Sequence, residues 1–151
     1  SYFTLPLHPE AQGLEKELRG RCLHNHITTA TRETALSRFK ALKAGENFHD
    51  LSPELKTTYS NAERTQNTIY MRLKYDEPSG TVVNVRKSMW IHPELDRAIS
   101  IREAARLQTF PDSFIFEGTK DSQYQQVGNA VPPFLAKAVA ESIISILDQV
   151  Q

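Results

Sequence analysis

The sequence predicts an α+β fold: a small irregular domain with a short β-sheet, followed by two or three C-terminal helices. Two β-prone segments, 68–73 and 81–85, lie on either side of a turn signal at 76–80. Further along the chain, two stretches combine helix start signals with apolar residues at helical spacing. The length of 151 residues and the 39% hydrophobic content are enough for one modest core.

The N-terminal part is predicted to be a connector that leads into one helix. Residues 1–23 hold scattered Pro, Gly and His, with a possible short helix around 13–19. A longer helix begins near Thr31, which can cap it, and Gly45 is placed to end it in a left-handed conformation. The apolar face of this helix consists of Ala35, Leu36, Phe39 and Leu42.

The rest of the chain is predicted to hold a loop and two helices. The polar stretch 47–67 reads as a surface loop, in which 53–56 can form one helical turn. The next helix begins at Ser100 with a capping box that involves Glu103, and Pro111 stops it. Proline is favoured in the first turn of the last helix, whose apolar stripe consists of Leu135, Ala138, Val139, Ile143, Ile146 and Leu147.

Charge and cysteine content exclude some classes of protein and leave others open. The 18 basic and 18 acidic residues cancel, so net charge does not indicate nucleic acid as a partner. A single cysteine, Cys22, excludes an internal disulfide and a multi-cysteine metal site. We expect no metal, no membrane span and a cytoplasmic location, because the sequence shows neither a long apolar run nor an export signal.

Two blocks near the end of the chain carry a family resemblance. Residues 97–112, RAISIREAARLQTFPD, are similar to the ninth conserved motif of the DNA cytosine-5 methyltransferases. Residues 126–133, QVGNAVPP, resemble the tenth motif, and the two blocks stand in the family's order. Segments 72–81 and 91–94 resemble what precedes the ninth motif in bacterial members. The chain therefore looks like the C-terminal portion of such an enzyme, which methylates C5 of cytosine in duplex DNA using S-adenosylmethionine.

The resemblance implies a division of the chain into three parts. The connector 1–23 would lead into a target recognition domain, 24–96, and then into the two motifs with a closing helix, 97–151. Asn129 and Ala130 would border S-adenosylmethionine, since Gly128-Asn129 reads as a turn in which backbone can approach a ligand closely. The ninth-motif residues that we expect to be mainly structural are Arg97, Arg102, Glu103 and Arg106.

Residues that could contact DNA lie in two clusters around the β-prone segments. Base edges are read mostly by Arg, Lys, Asn and Gln, and phosphates by Arg, Lys and backbone amides. The candidates are Arg64, Gln66, Asn67, Arg72, Asn84, Arg86 and Lys87. The base sequence that they would recognise cannot be read from these residues.

The catalytic segments of the family are absent from this chain. The family's Pro-Cys nucleophile and its Glu-Asn-Val acid have no match, so we expect no catalytic residue and no activity in this chain alone. It would act with a catalytic domain or subunit, either as a fragment of a longer chain, which the start at Ser1 favours, or as the smaller subunit of a split enzyme. Without that partner, residues 134–147 would self-associate or be disordered.

Two other classes of function stay open at this point. One is a stand-alone DNA-binding or regulatory module that has kept the recognition fold. The other is a metal-dependent nuclease, because His24-Asn25-His26 spells the name of a nuclease motif, although that motif is not a contiguous tripeptide. A polar lead-in to the recognition domain explains these three residues better.

Overall fold

The computed structural model describes residues 23–83 and 85–149. Its α-helices are α1 (Glu33–Ala41), α2 (Pro53–Lys56), α3 (Val85–Ser88), α4 (Ile101–Leu107), α5 (Lys120–Asn129) and α6 (Pro133–Asp148). Two 3-10 turns, Phe48–Asp50 and Ala62–Arg64, lie in the long loop after α1. The short helix predicted around 13–19 lies outside the described residues.

The predicted α+β fold class is wrong, because its short β-sheet does not form among the described residues. Within 23–83 and 85–149 there is no strand, and the only β-pairing is two isolated bridges, which join Ile91 to Arg72 and to Ala98. The predicted hairpin is wrong as well, because Val85, the last residue of the second β-prone segment, begins α3. The two segments contribute turns, isolated bridges and core residues rather than a ladder.

Left-handed backbone explains why the pairing stays so short. The Leu73 amide donates to the Ile91 carbonyl at 3.1 Å, and the Tyr70 amide donates to the Ser88 carbonyl at 2.8 Å. Between these bonds, Tyr70 has φ 54° and Met89 has φ 51°, which extended strands do not tolerate. Each segment therefore leaves the extended conformation after a few residues.

Two apolar clusters hold the molecule together. The α1 core contains Ala35, Phe39, Leu42, Phe48, Leu51, Tyr70 and Ile91. The α4 core contains Leu73, Val82, Val85, Trp90, Ile99, Ile101, Ala104, Ala105, Phe116, Tyr124 and Val127. The α4 core draws on residues before and after position 96, so the two predicted parts pack together, and the predicted domain limits stay a prediction.

The predicted helix starts are partly confirmed. Ser100 and Glu103 form the predicted capping box of α4, and Pro133 opens α6. Helix α1 is also present, but Arg32 occupies its N-cap and no side chain caps it, so the predicted threonine cap is wrong. Gly45 has the predicted positive φ, 87°, but lies in a turn beyond the end of α1.

The C-terminal region contains a helix that the sequence did not predict. Helix α5 extends through Gly128 and Asn129, so the turn predicted at these residues is wrong. The chain instead turns at residues 130–132, which we call the α5–α6 corner. Pro132 and Pro133 prevent α5 from continuing. Helix α6 then runs for 16 residues and has no buried residue.

The stretch Lys120–Asp148 is long enough to cross a membrane, and its most apolar 18 residues have a mean hydropathy of 1.5. Its geometry weighs against that, because it consists of two helices, and α5 buries Gln123, Tyr124 and Val127 against the protein. A 16-residue helix such as α6 spans about 24 Å, less than the roughly 30 Å of a bilayer core.

Candidate functional site

An open groove of about 330 Å³ lies between the two segments that carry the predicted DNA contacts. Gln66 and Lys87 both line it, so the fold brings one member of each predicted cluster together. Val83, at 65% exposure, adds an apolar side chain to it. We call this the 66–87 groove; its other lining residues are Thr68, Ile69, Thr81, Ser88 and Trp90.

Two side chains that line the groove, Gln66 and Lys87, are of types that can contact nucleic acid. A glutamine can bond a base edge with both ends of its amide, and a lysine can bond a phosphate or a guanine edge. Arg64 and Asn67 are exposed beside Gln66 in sequence, whereas Asn84 lies outside the described residues. Of the predicted DNA contacts that the structure describes, all are exposed except one arginine.

That exception is Arg72, which is only 5% exposed. Its Nε donates to the carbonyl of Leu42 at 2.8 Å, and its two terminal nitrogens donate to the carbonyls of His92 at 2.8 Å and Phe39 at 2.6 Å. It also forms an ion pair with Asp96 at 2.6 Å. Because this guanidinium donates to groups inside the protein, it is poorly placed to bind DNA. We therefore leave Arg72 out of the proposed interface.

Arg86 is exposed but occupied. It forms an ion pair with Asp121, and this pair ties α3 to α5 across the surface. Both side chains are about half exposed, which makes the pair weak in water. A phosphate group could therefore replace Asp121 as the partner of Arg86 at little cost.

Arg97 and Glu103 form a double ion pair at the start of α4. The two terminal nitrogens of Arg97 donate to the two oxygens of Glu103, each at 2.7 Å, and the same carboxylate accepts from the Ser100 amide at 2.7 Å. Burial raises the pKa of Glu103, but the bonds from Arg97 and Ser100 outweigh it, so the pKa stays below its usual value. This pair fixes the backbone at the N-terminal end of α4.

Arg102 is fully buried and binds the chain's own backbone. It donates to the carbonyls of His24 and Pro111, each at 3.0 Å, and to the carbonyl of Phe114. Burial lowers its pKa, in spite of the charge of Asp112 nearby. Arg102 therefore fastens the described N-terminal segment and the loop after α4 to the helix.

Arg106 completes the pattern of internal contacts in the ninth-motif block. Its Nε donates to one carboxylate oxygen of Asp112 at 2.8 Å, and its second nitrogen donates to the other oxygen. The fork geometry of arginine fits a carboxylate in this way. The contacts of Arg97, Arg102, Glu103 and Arg106 within the chain favour the structural role expected for them.

Asn25 is a structural residue that sequence reasoning missed. Its side-chain oxygen accepts from the Phe116 amide at 3.0 Å and from Arg102 at 3.2 Å. Its side-chain nitrogen donates to the Phe116 carbonyl at 2.8 Å and to Gln123 at 3.0 Å. The only local signal was an asparagine able to adopt the φ of 61° seen here.

These contacts also remove the support for a nuclease reading of His24-Asn25-His26. The Asn25 amide is engaged at both ends, and His26 lies 3.0 Å from the Ser100 hydroxyl. No group of three or more possible metal ligands occurs in the part of the chain that the structure describes. We do not propose a nuclease.

The corner between α5 and α6 carries the predicted cofactor contacts. The side chain of Asn129 is exposed, and Ala130 is half-buried. The Phe134 amide donates to the Thr109 hydroxyl at 3.2 Å, which fixes the start of α6 against the loop after α4.

Helix α6 presents a broad apolar surface to solvent. The exposed apolar residues, all between 47% and 61% exposed, are Phe134, Leu135, Val139, Ile143, Ile144, Ile146 and Leu147. They include the large residues of the predicted stripe, and together they form what we call the α6 face. Contiguous apolar surface of this kind is typical of an interaction site.

Comparison with known proteins places the chain in a family. It matches the sequence model of the C-5 cytosine-specific DNA methylases over residues 8–145, and it belongs to that family. The type II methyltransferase M.DdeI of Desulfomicrobium norvegicum is 36% identical over 154 residues, covering 91% of this chain and 37% of that protein. A crystal structure of an Escherichia coli prophage DNA modification methyltransferase gives a TM-score of 0.64 at 26% identity, covering 91% of this chain and 33% of that one.

One of the relatives is matched by this chain over most of its own length. M.AquIB of Picosynechococcus, also a type II methyltransferase, is 37% identical over 142 residues, covering 84% of this chain and 94% of that protein. By contrast, the chain spans about a third of the length of M.DdeI. A region of this extent therefore occurs both inside long methyltransferases and as nearly the whole of a short one.

Proposed function

We propose that this chain is the DNA-recognition and cofactor-pocket-closing portion of a DNA (cytosine-5-)-methyltransferase. The whole enzyme would transfer a methyl group from S-adenosylmethionine to C5 of cytosine in duplex DNA. The observation that carries the proposal is the α6 face: a family member presents a helix with no buried residue, directly after the corner expected to border the cofactor. Such a helix needs a surface that the described residues do not provide.

The missing surface is best supplied by a catalytic portion. The chain has one cysteine, Cys22, in the context Gly-Arg-Cys-Leu, and no Pro-Cys pair or Glu-Asn-Val segment. Cytosine C5 methylation needs a thiolate that adds to C6 of a flipped base and an acid near N3. We infer that both groups come from the catalytic portion and that this chain alone is inactive.

The DNA side of the proposal rests on the 66–87 groove. Gln66 and Lys87 would contact base edges or phosphates, with Arg64 and Asn67 exposed near one end of the groove-lining segments. Arg86 would exchange Asp121 for a phosphate. The bonds within residues 97–112 would hold α4 and the loop after it in place, and rigid support determines how precisely a site is placed.

The cofactor side rests on the corner at Asn129 and Ala130. An exposed amide can bond a polar edge of S-adenosylmethionine, and a small residue lets the backbone approach it. Bound there, the cofactor would supply the methyl group. The residues present fit one edge of such a ligand, and the catalytic portion would complete the pocket.

Reconstitution tests the proposal. The chain, the catalytic portion of the same enzyme, and the two together are each incubated with duplex DNA and S-adenosylmethionine labelled in the methyl group. We expect label in DNA only when both portions are present. Activity of the chain alone would refute the division of roles, and folded portions that bind DNA but never transfer methyl would favour the stand-alone DNA-binding module.

The two portions could belong to one chain or to two. The match to nearly the whole of M.AquIB supports the version in which this region is a separate, smaller subunit. In that case the untethered portions would bind each other through the α6 face and show activity on mixing. In the other version, mixing would give weak activity that covalent linkage restores.

A further inference from the structure

The side chain of Gln108 reaches three different segments of the protein. Gln108 caps the C-terminal end of α4 and is 6% exposed. Its amide nitrogen lies 3.0 Å from the carbonyl oxygen of Val127 in α5, and 3.5 Å from those of Val82 and Ala130. Val82 precedes the residues of the 66–87 groove in α3, and Ala130 belongs to the proposed cofactor corner.

Three carbonyl oxygens lie near the two amide hydrogens of Gln108. A glutamine amide has two N–H donors, and bonds weaken towards 3.5 Å, so the bond to Val127 is the firm one. Val127 lies in the last turn of α5, and its carbonyl also accepts from the Ala130 amide at 3.4 Å. The second N–H is left for Val82 and Ala130, which lie at equal distances from the nitrogen.

Packing makes this shared donor sensitive to movement. Val82 and Val127 are both buried in the α4 core, at 5% and 0% exposure. Close-packed cores transmit small shifts rather than absorb them. A shift of Val82 of a few tenths of an ångström is enough to strengthen or break a bond that is already at the limit of its length.

We propose that Gln108 is a positioning residue that couples the DNA side of the molecule, through Val82, to the cofactor corner, through Ala130. The inference rests on the proposed function, because it takes the groove as the DNA side and Ala130 as a wall of the cofactor site. DNA in the groove moves the segment that contains Val82. The second N–H of Gln108 then changes its sharing between the carbonyls of Val82 and Ala130. This alters how strongly Ala130 is held in the α5–α6 corner.

The test measures the coupling directly in the assembled enzyme. The dissociation constant of S-adenosylmethionine is determined with and without duplex DNA, for the wild type and for Gln108→Met, which keeps the volume and removes both donors. We expect DNA to change cofactor affinity at least about five-fold in the wild type. In Gln108→Met the two dissociation constants should agree within about two-fold, while DNA affinity stays near that of the wild type.

Gln123→Met is the matched control. Gln123 is also a buried glutamine, at 7% exposure, but it donates to Gly118 at 2.9 Å and accepts from Asn25, away from both sites. We expect this variant to lose similar stability and to keep the wild-type coupling. Equal loss of coupling in both variants would show a purely structural role for Gln108 and overturn the proposal.

A second variant and a measurement on the wild type keep the proposal testable if Gln108→Met does not fold. Gln108→Asn keeps the amide but is one methylene too short to reach all three carbonyls, so coupling should fall there too. In the wild type, DNA should shift the NMR resonances of the Gln108 side-chain amide and of Ala130, and unchanged resonances would overturn the proposal. Wild-type methyl transfer together with unaltered coupling in the variants would reject only the role of Gln108, whereas absent wild-type transfer would reject the proposed function.

Discussion

Replacing Arg72 by lysine should destabilise the fold while acting little on DNA directly. Arg72 is 5% exposed and bonds three backbone carbonyls at 2.6–2.8 Å, together with Asp96. The substitution keeps the positive charge, so any loss comes from the geometry of the donors. Lysine has three donors at one point, whereas arginine has five in a fixed fork.

The size of the effect follows from the acceptors. Four close acceptors surround Arg72, and a lysine nitrogen placed among them satisfies about two of them well. A buried carbonyl left without a partner costs about 1–3 kcal/mol. The ion pair with Asp96 contributes little, because Asp96 is 41% exposed. With two acceptors left unpaired, we therefore expect Arg72→Lys to lower the free energy of unfolding by about 2–6 kcal/mol.

Urea unfolding followed by tryptophan fluorescence measures this. The single tryptophan, Trp90, is 1% exposed, so its emission reports loss of the α4 core. Arg64→Lys is the control, since Arg64 is exposed and its replacement should change stability by less than about 0.5 kcal/mol. If Arg72→Lys matches this control in stability but binds DNA more weakly than the wild type, Arg72 is a DNA contact and the structural reasoning is refuted.

Three further predictions use the same unfolding assay or DNA binding. Gly45→Ala should cost about 1–2 kcal/mol because of the φ of 87°, whereas Gly80→Ala, with open space at its Cβ, should be nearly neutral; equal effects would contradict this. Burial lowers the pKa of His92 below 6.5, so the folded state favours the neutral ring. The free energy of unfolding should therefore fall as the pH drops below 6.5. Its dependence on pH should be weaker in His92→Asn. Lys87→Ala should weaken duplex binding and reduce its salt slope by about one ion, and Lys40→Ala on α1 should do neither.

Local signals in the sequence predicted the helices better than the rest of the fold. The capping box at Ser100 and the proline opening of α6 depend on neighbouring residues, and both are confirmed. The β-sheet was wrong because β-propensity reflects packing context as much as backbone preference. Left-handed backbone at Tyr70 and Met89 ends the pairing, and neither residue signals that conformation in sequence.

The candidate site shows the same division between local and long-range information. Residue type indicated polar DNA-facing clusters, and the fold does bring Gln66 and Lys87 to one groove. Residue type could not distinguish Arg72, whose partners lie 20–33 positions away, from an exposed arginine. Asn25 and Gln108 were missed for the same reason, since their bonds span up to 98 and 26 positions respectively.

The α6 face offers the most direct test of the central claim that this chain works with a catalytic portion. The catalytic portion is titrated with the chain, and methyl transfer to duplex DNA is measured at each concentration, for the wild type and for Ile143→Lys in the exposed face. We predict activity that rises to saturation with the wild-type chain and is lost or strongly right-shifted with Ile143→Lys, while both chains unfold alike. Activity that is independent of the added chain, or equal with both versions, would contradict the claim.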